Sequence, residues 1–223
     1  KVTHQGRLEF AEGEDIIQVV ESEVNNSCFS RMQYFGNNSI DEDAQSRVIG
    51  TYVESPFFLE MRTNRQLGYI VWGGARSTKK SSFFIFIIQS GDYTAENLSK
   101  QADEYTITLP DSLKQLPDEE YLIIKNAVIE KIKEKPTSIA EKAGKYYTMA
   151  FDYDGNFDRD NQLILAVEDL SKEKAIEVLT RALGDDTRER ATILLYAKEH
   201  EIGENIRSTF HDINQWKNTR KYQ

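Results

Sequence analysis

The residues whose types are best suited to bind a carbonyl oxygen or an oxyanion are Arg62 and Tyr69, which lie close together in the segment 62–71, RTNRQLGYIV. This segment follows a predicted helix and continues into an apolar strand, so both side chains are predicted at a helix-to-strand junction. A guanidinium and a phenol both donate hydrogen bonds, and both can meet a peptide carbonyl or the oxyanion formed from it. Each residue alone fits ordinary packing better, but the ordered string R-T-x-x-Q-L-G-Y-x-V is far more specific than either.

The histidines do not form the pattern of a zinc site. A peptidase site needs closely spaced His and carboxylate ligands and an open position for water. The chain has 3 histidines, at His4, His200 and His211. The segment 200–204, HEIGE, begins like the H-E-x-x-H motif but ends in glutamate, and the inverted form H-x-x-E-H is absent. We therefore expect no metal ligands in this chain and interpret His200 as a surface residue after the last strand.

An acidic segment from Asp152 to Asp160 resembles part of a calcium loop, with alternating carboxylates around Gly155. An EF-hand loop starting at Asp152 would need glycine at position 157 and glutamate at position 163. Phe157 and Leu163 occupy these positions. We interpret the segment as a polar turn that caps a helix.

Phosphate binding and nucleophilic catalysis also find little support. Gly73-Gly74 and the basic residues in the segment 76–80 could cradle a phosphate, but they lack P-loop spacing and no helix follows. The sequence favours a hairpin turn with a solvated tip. No serine lies in a G-x-S-x-G elbow, and Cys28 in an alternating strand is predicted to be a core residue.

Composition limits the classes of protein that remain. With 223 residues, 39% of them apolar, the chain can build one large domain or two small ones. Its net charge of −9 argues against sequence-independent nucleic-acid binding, and no apolar run is long enough to predict a membrane span. The single cysteine excludes an internal disulfide and is compatible with a reducing compartment or a bacterial exported enzyme. The start at Lys1, without Met or a leader, predicts a fragment or a processed chain.

The elements before the Arg62–Tyr69 segment are two strands and a helix pair. Strands are predicted at residues 16–20 and 28–34, the second from its alternating pattern. Apolar residues then recur every four positions from Ile40 to Tyr52, which predicts a helix. Ser55-Pro56 is predicted to end that helix and to start a second, short one over residues 57–66.

The elements after the segment are a hairpin, several helices and a last strand. Strands are predicted at 68–75 and 82–90, joined through Gly73-Gly74, and the second is apolar on both faces, which predicts a central strand covered twice. Helices are predicted from 95, broken near Pro110, and then from Pro117, Ser138, 161 and Ser171, before a strand at 190–197. This order predicts an α+β fold with an antiparallel sheet covered by helices on one face. The predicted organisation is an N-terminal extension or linker at 1–14, a single domain at 15–199 and a polar tail at 200–223.

Three segments together resemble a known family. They are 57–61 (FFLEM), 62–71 and 84–90 (FIFIIQS), and they resemble the C-terminal half of the insulin-degrading enzyme and pitrilysin (insulinase, inverzincin) family of zinc metallopeptidases. The match is strongest from about 48 to 90 and continues more weakly through 156–161 and 170–173. The resemblance implies a metallopeptidase LuxS/MPP-like domain. Trp72-Gly73-Gly74 and Pro110 depart from the pattern of many members.

In this family four related α+β domains form two halves that close around a peptide, and the N-terminal half carries the zinc motif. The last domain supplies an arginine and a tyrosine that match Arg62 and Tyr69. The resemblance therefore implies a non-catalytic domain with no cofactor of its own, zinc in the parent enzyme, and two partners, the peptide substrate and the zinc-bearing N-terminal half. Nucleic acid and membrane are not expected as partners.

A second interpretation stays open, namely a non-catalytic binding or assembly subunit of the same fold, of the processing-peptidase or core-protein type. The Arg–Tyr string favours the peptidase interpretation, because a purely structural subunit has no need of it.

Overall fold

The computed structural model describes residues 9–37, 39–78 and 81–221. Its strands are β1 (Asp15–Glu21), β2 (Ser27–Gly36), β3 (Ile70–Ser77), β4 (Ser82–Ser90) and β5 (Arg190–Tyr196). They form one five-stranded sheet in the order β1-β5-β2-β4-β3. β1 pairs with β5 in parallel, and the other neighbours are antiparallel. The parallel pair arises because β5 inserts between β1 and β2, which run in opposite directions. The predicted α+β fold is confirmed, with this parallel pair added to an otherwise antiparallel sheet.

The helices up to residue 183 follow the predicted order, and a last short helix lies in the segment predicted as a polar tail. π-Helical turns follow the first and the fifth helix. The helices are α1 (Ile40–Phe58), α2 (Ala95–Thr106), α3 (Leu109–Gln115), α4 (Asp118–Lys133), α5 (Ile139–Tyr147), α6 (Arg159–Asp169), α7 (Lys172–Leu183) and α8 (Ile213–Asn218), and the π-helical turns are Leu59–Asn64 and Thr148–Asp152. Ser138 and Ser171 cap their helices as predicted, and each hydroxyl accepts a backbone N–H at 3.1 Å. In the described residues, no helix is long and apolar enough to cross a membrane.

One face of the sheet forms the core. Phe29 of β2 and Phe86 and Ile88 of β4 are buried there, against helix α1 residues such as Phe57. On the opposite face Met32 and Ile193 are each 48% exposed. The helices thus cover one face, as predicted, whereas the prediction that β4 is covered on both faces is wrong. Its side chains alternate between buried and half-buried, because the described helices leave the second face partly open.

Cys28 lies on this second face and is half-buried, so its prediction as a core residue is wrong. The error has a simple cause, since an alternating pattern identifies two faces but does not say which one receives the helices. Burial still raises the pKa of the Cys28 thiol above its usual value.

Helix α1 continues unbroken through Pro56, so the predicted break at Ser55-Pro56 is wrong. A proline inside a helix removes one backbone hydrogen bond and commonly costs about 3 kcal/mol. Val53, Phe57 and Met61 are fully buried on the side of α1 and its π-helical turn that faces the core. We attribute the continuity to this packing, which a break at Pro56 would disrupt.

Gly73 and Gly74 lie inside β3 and not in a hairpin turn, which corrects the second local prediction. A Cβ at Gly73 would stand 2.6 Å from Cδ1 of Phe57, so glycine there permits α1 to pack directly on β3. The basic residues Lys79 and Lys80 of the predicted tip lie outside the described residues.

Buried charges join helix to helix and helix to sheet. Asp43 at the start of α1 is fully buried and pairs with Arg159 of α6 at 2.9 Å. Arg31 of β2 is buried and pairs with Asp103 of α2, which also accepts from Arg190 at 2.9 Å. Burial alone would raise the pKa of Asp103, but the two guanidinium groups outweigh it and lower that pKa below its usual value.

The segment after β5 returns to the outer edge of β1. The Thr209 N–H donates to the carbonyl of Ile17 at 2.7 Å, and the Thr209 hydroxyl accepts from the Ile17 N–H at 2.9 Å. Ser208 accepts from the Val19 N–H at 3.0 Å. This edge of the sheet is therefore covered by the chain itself, while the domain boundaries at 14/15 and 199/200 stay predictions.

Candidate functional site

The chain reverses direction between α1 and β3. The N–H of Arg65 donates to the carbonyl of Glu60 and that of Leu67 to the carbonyl of Met61, both at 2.9 Å. Gln66 between them has a φ angle of 51°, in the left-handed region of backbone conformation that residues other than glycine rarely adopt. Leu67 is buried and anchors the reversal to the core. These bonds define the path of the segment that carries the candidate residues.

Gly68 is the point where this segment crosses β4. A Cβ placed on Gly68 would lie 1.9 Å from the carbonyl oxygen of Gln89. No side chain fits there without movement of backbone, so glycine is a steric requirement at this position. The close approach places Tyr69 at the end of the sheet, one residue before β3 begins at Ile70.

Arg62 and Tyr69, the two candidates selected in the sequence analysis, lie in direct contact with each other. The Arg62 Nη1 donates to the carbonyl of Gly68 at 2.6 Å, and its guanidinium carbon lies 4.9 Å from the centre of the Tyr69 ring. Tyr69 is 83% exposed. Arg62 is thus held by a carbonyl and an aromatic ring, while the phenol extends into solvent.

The pair borders an open groove of about 590 Å³. One wall is the reversal itself, and the other is the turn after β4, from Ser90 to Asp92. The Ser90 hydroxyl accepts from the N–H groups of Asp92 and Tyr93, at 3.2 and 3.3 Å. Those two amides are therefore already engaged, and the donors best placed to face a ligand are the Arg62 guanidinium and the Tyr69 hydroxyl. Such a pair can bind carbonyl oxygens of an extended peptide.

A shell of side chains behind the reversal was missed by the sequence analysis. Arg65 donates to Glu60 Oε1 at 2.8 Å and to Gln101 Oε1 at 2.5 Å, which ties the turn to α2. Asn64 donates to Glu60 Oε2 at 2.8 Å. The hydrogen bonds from Arg65 and then Asn64 hold the pKa of Glu60 below its usual value. The available signal was the opposite charge of Glu60 and Arg65, but they lie five positions apart, which is not the three- or four-residue spacing of helical ion pairs.

The described residues do not bring together three His, Cys, Asp or Glu side chains that could hold a metal ion. His200, interpreted as a surface residue, is half-buried, and its Nδ1 lies 2.8 Å from the Ser27 hydroxyl. His4 lies outside the described residues. We therefore assign no step of chemistry to a metal held by the described residues.

The acidic segment 152–160 forms a turn rather than a ligand cage. Asp154 and Gly155 have positive φ angles of 53° and 80°. Asp158 accepts from the Asn161 amide at 2.6 Å, and Asp160 pairs with Lys145. Two of the carboxylates are thereby turned toward protein donors, although Asp158 makes no side-chain bond to the helix backbone that it precedes.

Comparison with known proteins gives consistent matches. The family model described as "PQQ synthase PqqF-like, C-terminal lobe domain 4" matches residues 48–147. Insulin-degrading enzyme of Homo sapiens is 26% identical over 182 residues, which is 81% of this chain and 18% of that protein. Protease 3 of Escherichia coli strain K12 is 26% identical over 151 residues, which is 66% of this chain and 15% of that protein. The chain thus spans less than a fifth of the length of these curated relatives.

Solved structures show the same fold. The crystal structure of pitrilysin superposes with a TM-score of 0.86 and 18% identity, covering 99% of this chain and 24% of that chain. A peptidase M16 inactive domain from Pseudomonas fluorescens has a TM-score of 0.61 and 16% identity, covering 87% and 46% of the two chains.

Proposed function

The chain belongs to the insulin-degrading enzyme and pitrilysin family, in which it corresponds to a C-terminal domain, and on this premise we propose that it binds the peptide substrate of a zinc metalloendopeptidase. The domain itself is non-catalytic. It closes the substrate chamber against the zinc-bearing N-terminal half, and Arg62 and Tyr69 reach the substrate from across that chamber.

The observation that carries the proposal is the exposure of Tyr69, although its backbone is held in place by close contacts and Arg62 beside it is half-buried. A tyrosine that serves packing would be buried or would bond to its surroundings, whereas Tyr69 is 83% exposed. Holding it there requires a left-handed Gln66 and a glycine at position 68. A left-handed conformation in a residue other than glycine costs roughly 1–3 kcal/mol, and such residues cluster at functional sites.

The two side chains are suited to different roles. Hydrolysis of a peptide bond builds negative charge on the carbonyl oxygen, and the Tyr69 hydroxyl donates a hydrogen bond that strengthens as this charge grows. Arg62 is fixed by Gly68 and by the ring of Tyr69, and its guanidinium has further N–H groups for a backbone carbonyl of the bound peptide. Such a grip acts equally in the ground state and in the transition state.

Steady-state kinetics of the complete enzyme on a short fluorogenic peptide test this proposal. We expect Tyr69→Phe to lower kcat by roughly 100- to 1000-fold with a much smaller change in KM, since only the hydroxyl is lost. Arg62→Ala should raise KM in addition to lowering kcat. Tyr147→Phe is the matched control, because Tyr147 is an exposed tyrosine on α5, away from this groove, and it should leave both constants unchanged. Thermal melts verify that each variant is folded.

The alternative is a non-catalytic binding or assembly subunit of the same fold. The half-exposed apolar face of the sheet, with Met32, Ile70 and Ile193, favours it, because such a face is suited to an interface. Near-normal kcat/KM for both Tyr69→Phe and Arg62→Ala would make these residues packing elements and leave the assembly function as the better explanation.

A further inference from the structure

The two edges of the sheet differ in whether another segment of the described chain covers them. The edge at β1 is covered by Ser208 and Thr209, whose hydroxyls accept the N–H groups of Val19 and Ile17. At the other edge β3 pairs, in the part of the chain that the structure describes, with β4 alone. One side of β3 therefore presents unpaired backbone groups, which native proteins usually block with proline, lysine or a covering segment. β3 contains neither proline nor lysine, and its one charged residue, Arg76, lies near the end far from Tyr69. In the described residues, the rest of this edge is therefore open to another strand.

A groove of about 720 Å³ runs beside this open edge. Val71 and Trp72 of β3 line one side, and Phe58 and Leu59 at the end of α1 line the other. Phe58 and Leu59 are 46% and 53% exposed, so both present apolar surface to the groove. The groove thus offers apolar contacts next to unpaired backbone groups, the combination that strand addition uses.

Charge in the groove favours a basic occupant. Glu54 and Glu60 both line it. Glu60 is engaged by Arg65 and Asn64, but Glu54 is exposed and makes no ion pair with any described residue. A lysine or arginine on a docked peptide would give Glu54 a partner.

The groove adjoins the candidate site along the chain, although the two share no lining residue. β3 begins at Ile70, directly after Tyr69, and Asn64 and Glu60 of the groove belong to the same π-helical turn as Arg62. A chain laid along β3 would therefore have one end at the Arg62–Tyr69 pair.

We propose that β3 and this groove form a docking site for the substrate peptide, which binds in an extended conformation as an added strand and places a basic side chain near Glu54. This inference rests on the proposed function, because the occupant is the substrate of the same enzyme. Main-chain hydrogen bonds supply the binding, so the site takes extended peptides of varied sequence that carry an apolar residue beside a basic one.

A direct test uses this chain and a fluorescein-labelled peptide of about ten residues that alternates valine and lysine. Two further probes carry backbone N-methyl groups on alternate residues, one probe for each edge of the extended peptide. We expect the probe methylated on the edge that faces β3 to bind about tenfold or more weakly, since it lacks the N–H donors that pair with β3. The probe methylated on the other edge should bind with nearly unchanged affinity. Equal affinity of all three peptides, or no binding, would overturn the proposal.

Protein variants locate the site. Leu59→Lys, which puts a cation into the apolar groove, and Glu54→Lys, which removes the charge partner, should each weaken binding of the unmodified peptide. Leu122→Lys is the matched control, because Leu122 on α4 is 53% exposed like Leu59, and it should not change the affinity. Hydrogen exchange should show protection of amides in residues 70–77 on peptide addition, and protection confined to other segments would refute strand addition.

The outcomes separate this inference from the proposed function. If the kinetics of Tyr69→Phe fall as expected while Leu59→Lys and the N-methylated peptides behave like their controls, the docking site is wrong and the proposed function stands. If the peptide binds along β3 but Tyr69→Phe is kinetically silent, the proposed role of Tyr69 is wrong and the docking site stands.

Discussion

Replacing Gly68 by alanine tests whether the crossing at β4 positions the candidate pair. The new Cβ would lie 1.9 Å from the Gln89 carbonyl oxygen, although such atoms normally stay more than roughly 3 Å apart. About 1 Å of separation must be gained by moving backbone, because neither group is the flexible end of a side chain. Insertions of this kind into packed regions typically cost about 1–3 kcal/mol, and we expect a value at or above the upper end because backbone meets backbone.

The same movement should damage the site. The Gly68 carbonyl is the acceptor that holds Arg62 at 2.6 Å, and Tyr69 is the next residue in the chain. Displacement of this segment therefore shifts both donors, and misplacement of a positioned group by about 1 Å can cost on the order of 100-fold in rate. We expect Gly68→Ala to lower kcat/KM of the complete enzyme by about that factor.

Urea denaturation of the chain followed by circular dichroism measures the stability change. With an m-value of about 2–3 kcal/mol per molar, a loss of about 3 kcal/mol lowers the midpoint by roughly 1 M. Gly144→Ala is the matched control, because Gly144 lies in α5 and a Cβ there meets no atom within 4 Å. That change should raise stability by up to about 1 kcal/mol, from helix propensity alone. A midpoint for Gly68→Ala within about 0.2 M of the unmodified chain would refute the steric argument.

The remaining predictions concern the metal, the thiol and the buried charges. Elemental analysis after dialysis against zinc should find well under one equivalent bound to this chain, and a tightly held stoichiometric zinc would contradict the fragment interpretation. Cys28 should react slowly with a thiol reagent in the folded chain and quickly in denaturant, since burial raises the pKa of its thiol; equal rates would show that it is freely accessible. The pKa of Asp103 in the folded chain lies below the usual 3.8, so on acidification the unfolded chain takes up this proton first. The stability that this group contributes is therefore present above pH 3.8 and is lost as the pH falls from 3.8 to the lower pKa of the folded chain. Asp103→Asn should cost about 1–3 kcal/mol at neutral pH, because Arg31 would be left buried without an ion pair while Arg190 keeps Asp15. It should also remove that acid-dependent step from the curve of unfolding free energy against pH.

Local signals in the sequence were sufficient for most of the elements. Alternation of apolar residues identifies β2 and β5, and a four-residue repeat identifies the start of α1, because these periods follow from backbone geometry alone. The serines at 138 and 171 mark helix starts through a hydrogen bond to an amide three residues later, which is a purely local interaction. The string from Arg62 to Tyr69 was specific enough to identify the family and to nominate both residues.

Tertiary packing decided the points where local rules compete with distant contacts. Pro56 and Gly73-Gly74 are local signals for a break and a turn, yet α1 and β3 run through them, with Phe57 packed directly on Gly73. The direction of β1 relative to β5 depends on a strand more than 160 residues away, which no local period encodes. The face on which Cys28 lies was undetermined for the same reason.

The candidate site was likewise determined partly by the sequence and partly by the tertiary structure. The sequence alone determined which donors are present, since a guanidinium and a phenol near a predicted strand start can be read from the residue types. That the two touch, that Tyr69 is exposed and that an open edge of β3 adjoins them was decided by the tertiary structure. The physical reason is that these features depend on Gly68 crossing Gln89 and on Arg65 bonding to α2, which are contacts between segments that only folding brings together.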